Sequence, residues 1–531
     1  MEPLARPPAG VVPARVVPAR VVPARVVAAR RRVPGAILLA ALALSVGGGW
    51  AVPRVAAAEP LRARQLGTGL PAATAIAGLT SGNVTIGGSG FGHGVGMSQY
   101  GALGMARAGT SVGGILTHYY SGTTVTGYPD DVDLKVNVVD RGTRVTLTGV
   151  PLASGGGDLR LITSGGVVLP VPAGGTAVVT LAGATLSITV TAAPGAVPHT
   201  VTTAALTVRW SGGRGLSGPA SLLRVVSRTA DGTSTSGRTR SYRWGQLRLL
   251  PVRRSDSDGT VRSRIEGVVQ LSLHGEYLLG VAEMPSSWPA AALQAQVVAA
   301  RNYALAAYQH GTSAACGGCN LWDDTRSQVY SGWAKESEKI GSVRYGDRWR
   351  SAVTATQTSS TRSLVVLYRG ELVTAYFSSS SGGRTRDAAS AWGSAVPYLR
   401  SVPDPWSVDP AVNPGYAHWS KSVPVGSLIS LFGLRNLARI GVSDRDAGGA
   451  AVSITATSAD GTARTLSGSA FRSRLGLPAP WVTSLQLSAP PTIPPTPLTS
   501  PTPTPTASTS PTPTASTLAD ADALQLGPIS G

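Results

Sequence analysis

Glu283 lies in EYLLGVAEMPSSWPAAALQAQVVAARNYAL, residues 276–305, in a poor place for an ordinary surface charge. Leu278, Leu279, Val281 and Met284 surround it. Pro285 restricts Met284 to extended geometry, so a helix arriving from Tyr277 should stop there. A second helix should follow. Ser286 or Ser287 can cap it, and Pro289 fits its first turn, where the missing N–H costs nothing. Leu293, Val297, Ala300 and Ala304 give it an apolar stripe at helical spacing. Glu283 is therefore expected at a corner between two packed helices, beside Trp288. Such a corner desolvates a carboxyl, raises its pKa and lets it donate a proton near neutral pH. By position alone, a glutamate near a helix end is more often solvated or capping. The surrounding sequence must decide.

A second polar cluster lies in SGFGHGVGMSQYGALGMARAG, residues 89–109, within a unit spanning 83–130. A short strand, a Gly-rich loop and a helix suggest a dinucleotide fingerprint, but no glycine starts G-x-G-x-x-G. Ser98 stands in GMSQY, which is not a G-x-S-x-G elbow. The glycines are expected to let the backbone approach something closely, with His93, Ser98 and Gln99 offering polar contacts. A packed turn with a structural histidine fits the same residues.

Stepping outward, residues 131–265 alternate Val- and Thr-rich runs with Gly turns, as a β-rich insert would. Residues 266–488 mix helical and strand patterns, including a hairpin over 364–385 that runs into a polar Gly-containing loop. The fold class expected is α+β, with antiparallel sheets and a helical pair carrying Glu283. Only 14% of residues are charged, against 65 Gly and 39 Pro, which favours turn-rich β structure.

The net charge is +19. Residues 1–58 hold eight Arg and one Glu, so the rest of the chain still carries +12. A basic body suits a polyanion, and an exported chain points to an anionic wall polymer rather than nucleic acid. Export is read from the start of the chain. VVPAR repeats at 11–15, 16–20 and 21–25 lead into Arg30, Arg31 and Arg32, then an apolar run, then Ala56-Ala57-Ala58. This is the pattern of a secretory signal cut after Ala58, with membrane contact only in passing; an uncleaved amino-terminal anchor is the alternative, disfavoured by the Gly47-Gly48-Gly49 break and Pro53. From about Pro490 the chain becomes Pro, Thr and Ser tracts, expected to form an extended stalk over 489–531.

Several separated stretches together resemble the stage II sporulation protein D / LytB family of secreted bacterial cell-wall proteins. They are EYLLGVAEMPSSWP, ALQAQVVAARNYAL, TRSQVY, AYFSSSSGGRT, AWGSAVPYL, SGSAFRSRLGL and GFGHGVGMSQYGALGMA. The resemblance implies a lytic transglycosylase that cleaves the MurNAc–GlcNAc bond of peptide-stripped glycan strands and leaves 1,6-anhydro ends. Its catalytic glutamate falls in E-M-P-x-x-W, here Glu283. One carboxylic acid protonates the leaving oxygen, then as carboxylate takes the proton from the sugar's own C6 hydroxyl. The shared stretches further imply that His93, Ser98, Gln99, Gln328, Tyr330, Ser379, Ser381, Gly382 and Gly383 line the cleft. Arg301 and Tyr303 could hold Glu283, or could be a helix surface and a core aromatic. The LytB side of the family implies an alternative, a wall-binding protein or amidase enhancer. No cofactor is expected.

Two departures stand out. The GFGHGVGMSQYGA stretch precedes Glu283 here, whereas in the family it follows, so it is expected to fold back beside Glu283. Some relatives bind zinc with a Cys just before the Gln of Q-x-Y, where this chain has Ser327. His310, Cys316 and Cys319 supply only three plausible ligands, and in an oxidising exterior a Cys316–Cys319 disulfide is the competing outcome.

Overall fold

The computed structural model describes residues 78–229, 238–256 and 258–488. The signal segment read over 1–58 and the stalk read over 489–531 lie outside these residues. The described chain mixes helix with mostly antiparallel sheet, as the α+β reading expects.

The longest strand among the described residues is Asp133–Pro151. Its first half pairs antiparallel with Val261–Ser272, and its second half with Ser221–Thr229 and Thr176–Ala182. The change of partner falls at Arg141–Gly142. Arg141 has φ +53°, and the register with Val261–Ser272 shifts beside it. A bulge there bends the strand so that it serves two neighbourhoods. Beyond the bend, Val145 and Leu147 point inward while Thr146 and Thr148 face out, the alternation of a half-buried strand. Leu321–Trp322 adds in parallel to its first half, so this sheet runs directly into the segment after Glu283.

Three helices position the site: α1 (Gln99–Arg107), α2 (Val112–Tyr119) and α3 (Ala290–Gln309). The predicted stripe of α3, Leu293, Val297, Ala300 and Ala304, packs on the large sheet with Leu134 and Val136. Another face of α3, Ala295, Val298 and Ala299, packs in a separate core with Met97, Ile115, Leu116 and Val366. A helix that is apolar on more than one face is buried between layers, and the small alanines let it fit.

The amino-terminal strand Asn83–Ser89 lies between Trp419–Pro424 and Trp481–Ser488, antiparallel to both. Val84 and Ile86 pack there with Leu428, Ile454 and Phe471. This pairing ties the start of the described chain to its end. It also delivers the Gly-rich stretch to the loop after the 364–385 hairpin, where Met97–Ser98 pairs in parallel with Phe377–Ser378.

One expected element is corrected. The chain arriving at Glu283 is helical only in two short turns and forms no α-helix. Leu273–Tyr277 forms a single π turn and Leu278–Gly280 a single 3-10 turn, and Val281 is already extended. The chain is drawn out there because Val281 bridges Tyr330, Ala282 N–H donates to the Val329 carbonyl (2.8 Å), and Ser331 N–H donates to the Gly280 carbonyl (2.8 Å). Neither serine caps α3. Pro289 occupies the cap position without a side-chain bond, and Ser286 instead bonds Glu338.

Candidate active site

Glu283 projects from the loop between these turns and α3. Its Oε1 accepts a 2.6 Å hydrogen bond from the Val329 amide. Its carbonyl accepts from Gln99 Nε2 (2.9 Å), which also reaches Gln296 Oε1 on α3 (3.2 Å). The next residues are fixed just as firmly. Buried Lys335 donates to the Met284 carbonyl (2.6 Å) and pairs with Glu338 (2.7 Å), while Glu338 takes both the amide and the hydroxyl of Ser286. The carboxylate is thus held by the Val329 amide, while Gln99 fixes the Glu283 backbone and Lys335 and Glu338 fix the two residues that follow.

Burial pushes the Glu283 carboxyl up to about 7, and the Val329 amide opposes that shift only in part. No neighbouring carboxylate contributes to the shift. The group is therefore half protonated near neutrality and alone. That is the state a proton donor needs, because it can give its proton and then take one back without crossing a large pKa gap.

The surroundings are aromatic. Trp288 lies 5.1 Å from Tyr100, which is 6.4 Å from Tyr416, and Tyr416 is 4.5 Å from Phe91. A second run links Tyr303 to Tyr376 (6.0 Å), Tyr376 to Trp392 (4.7 Å) and Trp392 to His93 (5.4 Å). Trp392 is exposed. Rings with apolar faces and polar tips are suited to sugar surfaces. Tyr303 belongs to the site electrostatically. Burial, Tyr376 and Glu283 together push its hydroxyl up to about 12, against a hydrogen bond with Ser327.

Several residues read from sequence as cleft-lining are placed instead in the framework. Arg301 is fully buried. Its guanidinium reaches Asp130 (3.1 Å), the Leu364 carbonyl (2.9 Å) and Thr356 Oγ1 (2.9 Å), so it braces α3 and offers no exposed donor. Tyr330 stacks in the core between Tyr242 and Tyr277. Gln328 is buried and accepts from the Tyr277 hydroxyl (2.9 Å). Ser98 caps α1 through the Gly101 amide (3.2 Å). Buried Ser381 donates to Asp404 Oδ2 (2.7 Å). Ser379 meets the Gly-rich stretch through its carbonyl, which accepts from Tyr100 N–H (3.0 Å). A Cβ on Gly382 would sit 2.1 Å from the Trp481 ring, and Gly383 donates to Ser407 Oγ (3.1 Å). His93 accepts from the Val95 amide (3.0 Å), and burial with nearby arginines pushes its imidazole down to about 4, so it is neutral and shapes its own loop.

The glycines of that stretch do allow close approach, but to protein. A Cβ on Gly96 would meet the Tyr376 carbonyl at 2.0 Å. One on Gly101 would meet the Tyr119 hydroxyl at 1.9 Å and Asp404 Oδ1 at 2.2 Å.

Asp404 is the main residue that sequence reading missed. It is fully buried and accepts from Tyr119 (3.0 Å) on α2 and Ser381 (2.7 Å), while its own amide donates to the Gly383 carbonyl (2.9 Å). It joins α1, α2 and the Ser-rich loop beneath Gln99. Nothing in VPDPW marks it, because its partners are remote in sequence. Asp404→Ala strands two buried hydroxyls and is expected to cost about 2–4 kcal/mol. The check is denaturant unfolding, where the midpoint should fall with an unchanged slope.

Cys316 and Cys319 are paired as a disulfide. His310 is exposed at the end of α3. Among the described residues no group of three or more His, Cys, Asp and Glu is placed to hold a metal.

Comparison with known proteins places this site in context. The family model SpoIID, stage II sporulation protein, matches residues 262–362. The chain is 34% identical over 134 residues to stage II sporulation protein D of Bacillus subtilis (strain 168), covering 25% of this chain and 38% of that protein. It is 37% identical over 122 residues to an amidase enhancer of the same organism, covering 23% of this chain and 14% of that protein. An uncharacterized protein of Brachyspira hyodysenteriae is 36% identical over 129 residues, covering 24% of this chain and 31% of the relative. The chain thus spans less than two fifths of the length of these relatives. The family match contains Glu283 but stops short of the Ser-rich loop and does not reach Gln99. Through the segment that carries Glu283, the chain is similar to the stage II sporulation protein D family.

Proposed function

We propose that the protein is an exported peptidoglycan lytic transglycosylase. It cleaves the MurNAc–GlcNAc bond of peptide-free glycan strands, with Glu283 as the sole general acid and base. The observation that carries this reading is a desolvated carboxyl whose shift no neighbouring carboxylate contributes to, beside Tyr303 and the rings it meets. Glycosidases that hydrolyse usually need two carboxylates, one for the leaving group and one for water or the covalent intermediate. A single carboxylate suffices when the nucleophile is the substrate's own C6 hydroxyl. Glu283 protonates the glycosidic oxygen and the bond to C1 breaks. The C6 oxygen then attacks C1, and Glu283 accepts the C6 proton, which restores the acid. The protein acts outside the cell in this reading, and its basic charge suits anionic wall polymers.

A second reading, a wall-binding amidase enhancer that does not cleave glycan, is favoured by the 37% identity to an amidase enhancer. Mass spectrometry of glycan products separates the two. Purified protein incubated with intact and amidase-stripped peptidoglycan should release fragments with 1,6-anhydro ends. Reducing ends would mean water is the nucleophile and the single-carboxylate mechanism is wrong. Binding without any products would favour the second reading.

A further inference from the structure

A groove of about 650 Å³ opens beside Trp288. Trp288, Leu293 and Gln294 form one side, Arg107 at the end of α1 another, and Arg348 and Ser351 of the helix Gly346–Ala355 a third. The volume suits a small ligand or one unit of a polymer, since such sites run roughly 300–1,000 Å³. The groove is lined by Ser287, Trp288 and Pro289, from the loop that carries Glu283. The Trp288 ring lies 5.1 Å from Tyr100, and Tyr100 follows Gln99, which holds the Glu283 carbonyl.

Its charge is one-sided. Two arginines line it and no acidic residue does. Arg107 donates to the Ala411 carbonyl (3.1 Å), and Arg348 lies over the Tyr345 ring at 4.9 Å. Neither forms an ion pair among the described residues. Each guanidinium therefore keeps donors for an anion, and the planar fork matches a carboxylate. An apolar floor with an indole at its edge suits a sugar ring.

We propose that this groove is a subsite for an acidic sugar of the glycan. Arg107 and Arg348 bind the free carboxylate of the lactyl ether on muramic acid, and Trp288 carries the ring. The inference rests on the peptidoglycan reading above. It adds a physical reason for preferring peptide-free strands. A stem peptide turns that carboxylate into a neutral amide, which removes the charge the two arginines meet and adds bulk in its place.

The test measures binding rather than cleavage, so that it is separable from catalysis. Full-length protein carrying Glu283→Gln is titrated with peptide-free glycan and with the same glycan after its lactyl carboxylates are converted to methylamides. Arg107→Gln and Arg348→Gln are then added singly and together, with circular dichroism checking that each remains folded. Each arginine substitution should weaken binding of the acidic glycan about tenfold, the scale of one charge-assisted hydrogen bond. Binding of the amidated glycan should be weaker from the start and unchanged by either substitution. Equal effects on both ligands, or none on either, overturn the subsite. If the parent protein produces anhydro ends while the arginine variants bind normally, the subsite falls and the transglycosylase stands. If the Glu283→Gln protein binds no glycan, both fall.

Discussion

Glu283→Gln should abolish anhydro-product release, lowering kcat about 10³-fold or more, while leaving glycan binding nearly intact. The magnitude is that of losing a positioned general acid, which contributes typically 10²–10⁴-fold. Gln keeps the shape of the side chain and can still accept the Val329 amide, so the loop should hold. Residual activity above a few per cent would show that another group carries the proton. The pH dependence follows from the same carboxyl. It sits at about 7, and the protonated form starts the reaction, so activity should be present below that value and fall as pH rises through it. Stability moves with it. The folded pKa lies above the ordinary glutamate value of 4.5, so the fold favours the protonated acid. Its contribution is full below about 4.5 and is lost as pH rises through about 7. Glu283→Gln, neutral throughout, should therefore match the parent in acid and be more stable at pH 8, by at most about 3 kcal/mol. Unfolding midpoints measured at the two pH values check the sign.

The burial of the Glu283 carboxyl agrees with its apolar sequence neighbours, but position alone did not single it out; the family resemblance did. Apolar neighbours and Pro285 lie within a few positions, and the tertiary fold completes the burial of the carboxyl. The geometry around it was less legible. A pair of helices was expected, yet pairing with 329–331 draws 280–283 out into extended chain, and no local pattern announces that partner. The groups that hold Glu283 come from positions 99 and 329, those that hold the next two residues from 335 and 338, and Asp404 braces the loops beneath from further still. The Gly-rich stretch was expected to return to Glu283 despite its early position. Gln99 does so because strand 83–89 is captured between two carboxy-terminal strands. Motif residues also mislead in a consistent way. A stretch shared with a family contains packing residues as well as contacts, and sequence alone cannot tell a guanidinium facing a sugar from one facing a buried aspartate.

Arg301 makes that distinction measurable. Arg301→Met keeps much of the side-chain volume but leaves Asp130 in the interior with the His274 imidazole as its remaining side-chain partner (2.7 Å). Removing one member of a buried pair typically costs 3–5 kcal/mol, because the other charge stays desolvated. That is a large share of the roughly 5–15 kcal/mol that holds a domain folded. The variant should therefore unfold at much lower denaturant, while the fraction that stays folded keeps the parent's kcat. Adding Asp130→Asn should recover part of the loss, since the stranded charge is gone, and a double-mutant cycle isolates the pair. A stable Arg301→Met protein with weakened glycan binding would instead make Arg301 a substrate contact. The two substitutions should then separate cleanly. Glu283→Gln would give a stable protein without chemistry, and Arg301→Met an unstable protein with its chemistry intact. That separation is what a framework of buried pairs around one isolated acid requires.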